Sequence, residues 1–409
     1  MFCGSCMHDN TLARAMLDRG HDAVLVPCYT PIRVDEADVS ESRVFLGGVN
    51  LYLDHVAPLW RRMPRLLRGL LDRPGVLRRI RSSSDASELG ELTIETLRGE
   101  DGPLAAELPP LVDYLTAELR PDAILFSNAL LGGVLPTLRA AFDGPIGCLL
   151  QGDDIFLDAL PARHREAAIA LVSQHAAAFD VLLTHSRFYA DKMAGYLSQP
   201  ADRFAVVPLG IDVDSFAVAP RPDTKARTVG FFARRAPEKG LHRFVDAAVR
   251  LAGDGRREDV VFRIGGYQHA KDRAYAAEQF ERLADAGCRV DDVGSPDTHE
   301  AKLTAIAGCD LFSVPTEYEE PKGLSILEAM ACGVPVVQPA HGAFPERIAA
   351  TGGGVLVPPD DAAALAAAWG ELLDDDARRE GLSAQARRGV AEAYGLDAMV
   401  RETVAAIAP

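Results

Sequence analysis

The sequence predicts an α/β protein of two domains, each built on a parallel sheet. Strand-like apolar runs alternate with helical patterns almost from end to end, as repeated βαβ units do. A polar stretch at 208–224, bracketed by Pro208, Pro220 and Pro222, divides the series in two. At 409 residues the chain exceeds one ordinary core, and two domains of about 200 residues are the natural division.

The runs of the first half are Ala23–Cys28, Ala123–Ser127, Ile146–Leu150, Val181–Thr184 and Phe204–Pro208. Those of the second half are Thr228–Ala233, Val260–Gly265, Asp310–Val314, Val334–Gln338 and Gly354–Val357, with room for helices between most of them. Alternation breaks at 42–56, which reads as a β-hairpin around Gly47-Gly48, and at 57–120, which reads as a mainly helical insertion. The Ala-rich segments 362–370 and 376–407 read as C-terminal helices, long enough to pack on one domain and cross back to the other. Residues 11–28 read as a helix stopped by Gly20 and then a strand. A helix that feeds a parallel strand normally follows another strand of the same sheet, yet only Met1-Phe-Cys-Gly-Ser-Cys6 precedes it. The first strand is thus missing, and Met1 is expected to be an internal start of a longer native protein.

Composition excludes several classes. Apolar residues at 48% and charged residues at 25% are ordinary for a globular chain, and a net charge of −16 opposes nucleic-acid binding. No run of about 20 apolar residues occurs, and no charged-then-apolar signal opens the chain. Seven scattered cysteines, an odd number, suit reduced thiols, so a cytoplasmic enzyme is expected.

The segment Glu320-Pro-Lys-Gly-Leu-Ser-Ile-Leu-Glu328-Ala-Met-Ala-Cys-Gly-Val-Pro-Val-Val337 carries the strongest chemical signal. It sets two carboxylates eight residues apart, one in a Gly-containing loop and one in the helix that the loop opens. Free N–H groups at a helix start hold phosphate, and carboxylates on either side hold hydroxyls. A diphosphate flanked by two polyols describes a nucleotide sugar. The alternative is a capping box between Ser325 and Glu328, which would close the helix start but leave Glu320 and the Gly323-Leu324 turn without a purpose.

A second constellation is Val229-Gly-Phe-Phe-Ala-Arg234-Arg-Ala-Pro-Glu-Lys239-Gly240, a strand and a loop with two cations five residues apart. Fixed Arg and Lys donors stabilise the charge that builds on a departing diphosphate. The alternative is a solvated loop in which Glu238 pairs locally.

Together, Arg-x4-Lys-Gly and Glu-x7-Glu resemble the donor-binding half of the retaining family 4 glycosyltransferases, which have the GT-B fold. Val206-Val-Pro-Leu-Gly-Ile-Asp212, Arg19-Gly-His-Asp-Ala-Val-Leu-Val26 and Cys309-Asp-Leu-Phe-Ser-Val-Pro-Thr316 extend the resemblance, which is specific in 206–360 and diffuse in 29–120. It implies two Rossmann-like domains facing a cleft. An acceptor-side domain would span 1–208, a donor-binding domain 209–385, and a helix over 386–409 would return to the first.

The resemblance further implies that Arg234 and Lys239 contact the donor diphosphate, that Glu328 binds the ribose hydroxyls and that Glu320 contacts the transferred sugar. Gly323 and Leu324 would offer backbone N–H groups, and Gly4 would belong to a Gly-rich loop of the acceptor domain. Where the family often has a His after the strand matching Ile146–Leu150, this chain has Gln151-Gly-Asp153-Asp154. Asp153 is the first candidate for the acceptor-side polar group and Gln151 the second.

The implied reaction is retaining transfer of a sugar, a hexose, from a nucleotide-sugar donor to a saccharide or lipid-linked hydroxyl, with no other cofactor and no metal. Asp212-Val-Asp214 has the Asp-x-Asp spacing of metal-dependent transferases of the other major fold, but it sits in a turn and reads as a cap or hinge. Cys3-Gly-Ser-Cys6 reads as small residues letting a loop approach a ligand, with a redox pair as the alternative. Leu59–Arg81 carries eight Arg against one Asp among apolar residues, which suits peripheral contact with an anionic inner membrane face or Arg-faced helices packed on the sheet. The rival functions are a nucleotide-sugar epimerase and a nucleotide-sugar-binding protein that has lost catalysis.

Overall fold

The computed structural model describes residues 4–29, 32, 34, 37–46, 86–216, 226–253, 259–296 and 298–407. The chain divides into two compact units. One holds Ser5–His185, Tyr189–Val207 and the segment from Val400 onward; the other holds Ser186–Phe188 and Pro208–Met399.

The first unit contains a parallel sheet of β1 (Ile124–Phe126), β2 (Ile146–Leu149), β3 (Val181–Thr184) and β4 (Phe204–Val206), in that spatial order. Every residue of β2 is buried, as befits a strand covered on both faces. Ile407 joins Leu149, Leu183 and Val207 in one apolar cluster, so the helix Leu396–Ile407 contributes to this core.

One expectation for this unit changes. The opening helix runs Gly4–Asp18 rather than starting at residue 11, and Gly20 (φ 83°) closes it as expected. In the described part of the expected hairpin, Phe45 bridges in parallel to Cys28, and just before it Ser40 bridges to Leu25. Residues 47–56, most of the helical insertion up to residue 85, the basic stretch 59–81 and Pro220 and Pro222 lie outside the described residues. From Ala86 the insertion is helical, ending in the π-helical turn Tyr114–Leu119 with Arg120 left-handed at its end.

The second unit is a six-stranded parallel sheet of β5 (Arg227–Phe232), β6 (Val260–Gly265), β7 (Arg289–Gly294), β8 (Leu311–Phe312), β9 (Val336–Pro339) and β10 (Gly354–Val357). Its spatial order is β10-β9-β8-β5-β6-β7. Counted from the first strand of the unit this is 6-5-4-1-2-3, the Rossmann order read from the other edge. Strand β7 and the helix Arg273–Asp285 before it lie between the expected runs Val260–Gly265 and Asp310–Val314.

Helix Leu241–Gly253 places Leu241, Phe244, Val245, Ala248 and Leu251 in the core at helical spacing. Phe244 meets Trp369 at a ring-centroid distance of 5.0 Å. Helix Asp376–Tyr394 packs on helices Leu324–Ala331 and Phe344–Thr351 through buried Ala386, Val390 and Tyr394. The division between units therefore falls after Met399 rather than after residue 385.

Candidate active site

Strand order reverses between β5 and β8, and in open parallel sheets the crevice outside the carboxyl ends at that reversal is where ligands bind. The loop after β5 carries Arg234 and Lys239, and the loop after β8 carries Glu320. Both sequence constellations thus converge on one switch point.

Close backbone contact fixes these loops against each other. Glu317 N donates to Glu238 O at 3.1 Å. Gly240 (φ 74°) lies so near Pro315 O that no Cβ fits. On the other side, Ala343 N donates to Glu320 O at 2.8 Å, and a Cβ on Gly342 (φ 60°) would stand 2.6 Å from Glu320 N. Gly342→Ala must therefore shift the Glu320 backbone. It is expected to cost roughly 1–3 kcal/mol of stability, read by urea titration, and to reduce any activity that depends on Glu320.

Lys239 Nζ donates to Glu320 Oε2 at 3.0 Å and also to the Tyr318 hydroxyl, which itself donates to Glu320 Oε2 at 2.6 Å. The ammonium stands 4.8 Å from the Tyr318 ring centroid, a cation–π distance. Lys322 N and Gly323 N point at Glu320 Oε1 from 3.3 and 3.4 Å. Burial alone raises the Glu320 carboxyl, but the Lys239 charge and the Tyr318 and Lys239 hydrogen bonds outweigh it and hold the group down at about 2. Lys239 is correspondingly raised by Glu320 and Tyr318 against the burial that lowers it. Glu320 is thus a fixed carboxylate throughout the neutral range.

Helix Leu324–Ala331 starts from Gly323 (φ 76°) with no side-chain cap. The capping box does not form, because the helix begins from Gly323 and places Ser325 and Glu328 inside it; Glu328 Oε1 accepts from Lys302 Nζ at 3.2 Å. The first-turn N–H groups, which no helix satisfies internally, remain directed out of the helix start.

The remaining candidates behave differently. Arg234 pairs with Glu238, the local partner weighed as the alternative, and does not join the Lys239–Glu320 cluster. Its neighbour Arg235 is buried, bonding Ile264 O at 3.1 Å and pairing with Asp292. Asp153 is 4% exposed, and its two oxygens accept from Ala129 N at 2.7 Å and Gln151 N at 2.9 Å. Burial pushes its carboxyl up to about 6 against those donors. Asp153 thus ties together the loops after β1 and β2. Gln151 Nε2 donates to Asp9 Oδ1 at 2.8 Å and Ser127 O at 3.1 Å. Gly4 is the exposed first residue of a helix rather than part of a loop, and a Cβ there would meet nothing within 4 Å. Asp212 closes a turn by accepting from Ser215 at its backbone oxygen, 2.7 Å.

Sequence reasoning missed Tyr318 and Lys302. Tyr318 lies two residues before Glu320, and its pattern carries no helical or strand period. Lys302 sits 26 residues from Glu328 on another helix, with no local signal.

Residues 213–389 match the family model described as "Glycosyl transferases group 1". Over 230 residues the chain is 32% identical to a D-inositol 3-phosphate glycosyltransferase of Xylanimonas cellulosilytica, covering 52% of this chain and 53% of the relative. Over 143 residues it is 34% identical to a phosphatidyl-myo-inositol mannosyltransferase of Mycobacterium tuberculosis, covering 34% and 35%. The chain thus spans about half, or less, of these curated relatives.

Among solved structures, sucrose-phosphate synthase from Thermosynechococcus elongatus superposes with a TM-score of 0.68 at 19% identity, covering 96% of this chain and 90% of that one. The Anabaena HepE protein in complex with UDP-glucose gives 0.62 at 18% identity, covering 93% and 98%. At such identities the likeness is one of fold, and that fold is GT-B, with two Rossmann-like domains. The sheet that positions Lys239, Glu320 and Glu328 lies within residues 213–389, the part of the chain that is similar to the glycosyl transferases group 1 model.

Proposed function

We propose that this chain transfers a hexose from a nucleotide-sugar donor to a hydroxyl acceptor with retention of configuration. The observation that carries the reading is the meeting of Lys239, Glu320 and the open start of helix Leu324–Ala331 at the switch point of a Rossmann sheet. Lys239 binds the diphosphate, Arg234 joins it by exchanging Glu238 for phosphate, and the Gly323 and Leu324 N–H groups complete the cradle. Glu328 holds the ribose hydroxyls.

Glu320, ionised at neutral pH, accepts hydrogen bonds from hydroxyls of the transferred sugar and does not act as a proton donor. The acceptor oxygen bonds to the anomeric carbon as the bond from that carbon to phosphate oxygen breaks. The acceptor's proton passes to the leaving phosphate, whose charge the cations offset. The acceptor is a saccharide or a lipid-linked alcohol, met at the cytoplasmic membrane face. Among the described residues no helix is long and apolar enough to cross a membrane.

The test begins with a thermal-shift screen against UDP-, GDP- and ADP-linked sugars, with and without Mg²⁺. A donor well above its dissociation constant is expected to stabilise the chain by roughly 3 kcal/mol. Mass analysis of products with the selected donor then decides. A sugar moved to an acceptor supports the proposal. An isomerised nucleotide sugar indicates an epimerase, and no product despite binding indicates a binding protein; either would overturn it.

A further inference from the structure

Lys302 lies on helix His299–Ala307 beside Leu303 and Ile306, both of which enter the core. It is itself only 8% exposed, and its ammonium stands 3.2 Å from Glu328 Oε1. Burying such a pair seldom stabilises a fold, since apolar residues of similar size would serve as well or better. What the pair supplies is orientation. Oε1 of Glu328 is anchored, while Oε2 takes no hydrogen bond within the described residues. A carboxylate with one oxygen tethered and the other open is a preset acceptor for neighbouring hydroxyls.

We infer that Lys302 is a positioning residue for the donor's ribose, holding Glu328 so that its second oxygen meets the vicinal hydroxyls. The inference rests on the nucleotide-sugar reading above. Lys302 touches the carboxylate and not the nucleotide, so its removal acts on ribose recognition and leaves the diphosphate cradle in place.

The experiment is calorimetric titration of the full chain, wild type and Lys302→Met, with UDP, GDP and ADP, their 2′-deoxy and 3′-deoxy forms, and inorganic pyrophosphate. Wild type is expected to prefer the ribose form of its nucleotide over the deoxy forms by about tenfold or more. In Lys302→Met that preference is expected to fall within about threefold while pyrophosphate affinity is unchanged, and Lys302→Arg is expected to restore it. Should Lys302→Met lose its melting transition, Lys302→Leu, which likewise has no donor, carries the same comparison. A preserved preference in the folded variant overturns the role of Lys302 and leaves the nucleotide-sugar reading standing. If wild type binds no diphosphate, or shows no preference for ribose, the reading of Glu328 falls and the inference falls with it.

Discussion

Substituting Glu320 by glutamine is expected to lower sugar-transfer turnover by about 100-fold or more while moving nucleoside diphosphate affinity by less than about threefold. The loop does not depend on the side chain for its course, because Ala343 N and Gly342 hold the Glu320 backbone. The substitution therefore removes charge and acceptor strength at the sugar while leaving the phosphate cradle. Near-native turnover would end the assignment. A second readout follows from the depressed carboxyl. Its folded value of about 2 lies below the ordinary 4.5, so the stability it contributes is present above pH 4.5 and is lost as pH falls toward 2. Urea titrations over that range should show a shallower acid loss in Glu320→Gln than in wild type.

Replacing Lys239 by methionine is expected to weaken binding of nucleoside diphosphates, nucleotide sugars and pyrophosphate alike, by about 10–100-fold. Equal losses across the three would place the contact on phosphate, and unchanged affinities would refute it. The same change leaves the Glu320 carboxylate buried with Tyr318 but without a counter-charge, at a cost of roughly 3 kcal/mol of stability at neutral pH. Burial then dominates and raises the carboxyl, so the variant should gain stability relative to wild type as pH falls from 7 to 5. The double variant Lys239→Met/Glu320→Gln should recover most of the loss at pH 7 and show little of that pH dependence.

The parts of the fold legible in the sequence were those under strong local constraint. Val260–Gly265, Val181–Thr184 and Gly354–Val357 have the boundaries expected, since apolar runs between turn residues leave little freedom. Strand β7 escaped because its sequence, Arg289-Val-Asp-Asp-Val-Gly294, suits a sheet edge that is largely open to water, where burial imposes no apolar run. The hairpin expected at 42–56 lies mostly outside the described residues; Phe45 within it forms a parallel bridge to Cys28, a long-range partner no local pattern signals. Lys239 and Glu320, singled out from their motifs, are brought into contact by the structure. Their third member, Tyr318, and the Lys302–Glu328 pair depend on which loops and helices the sheet brings together. Asp153 was drawn in by its place after β2, but two backbone donors already occupy its oxygens.

The discontinuous make-up of the first unit bears on the order in which the chain matures. Its described strands end at Val206, but Ile407, which packs with Leu149, Leu183 and Val207, is encoded only after the second unit. At about 5–20 residues per second, roughly 10–40 s separate the two events during translation. In that interval the whole of Pro208–Met399, with all six of its strands, becomes available to fold. The later-encoded unit can thus reach its native state while the apolar cluster of the earlier one still lacks Ile407.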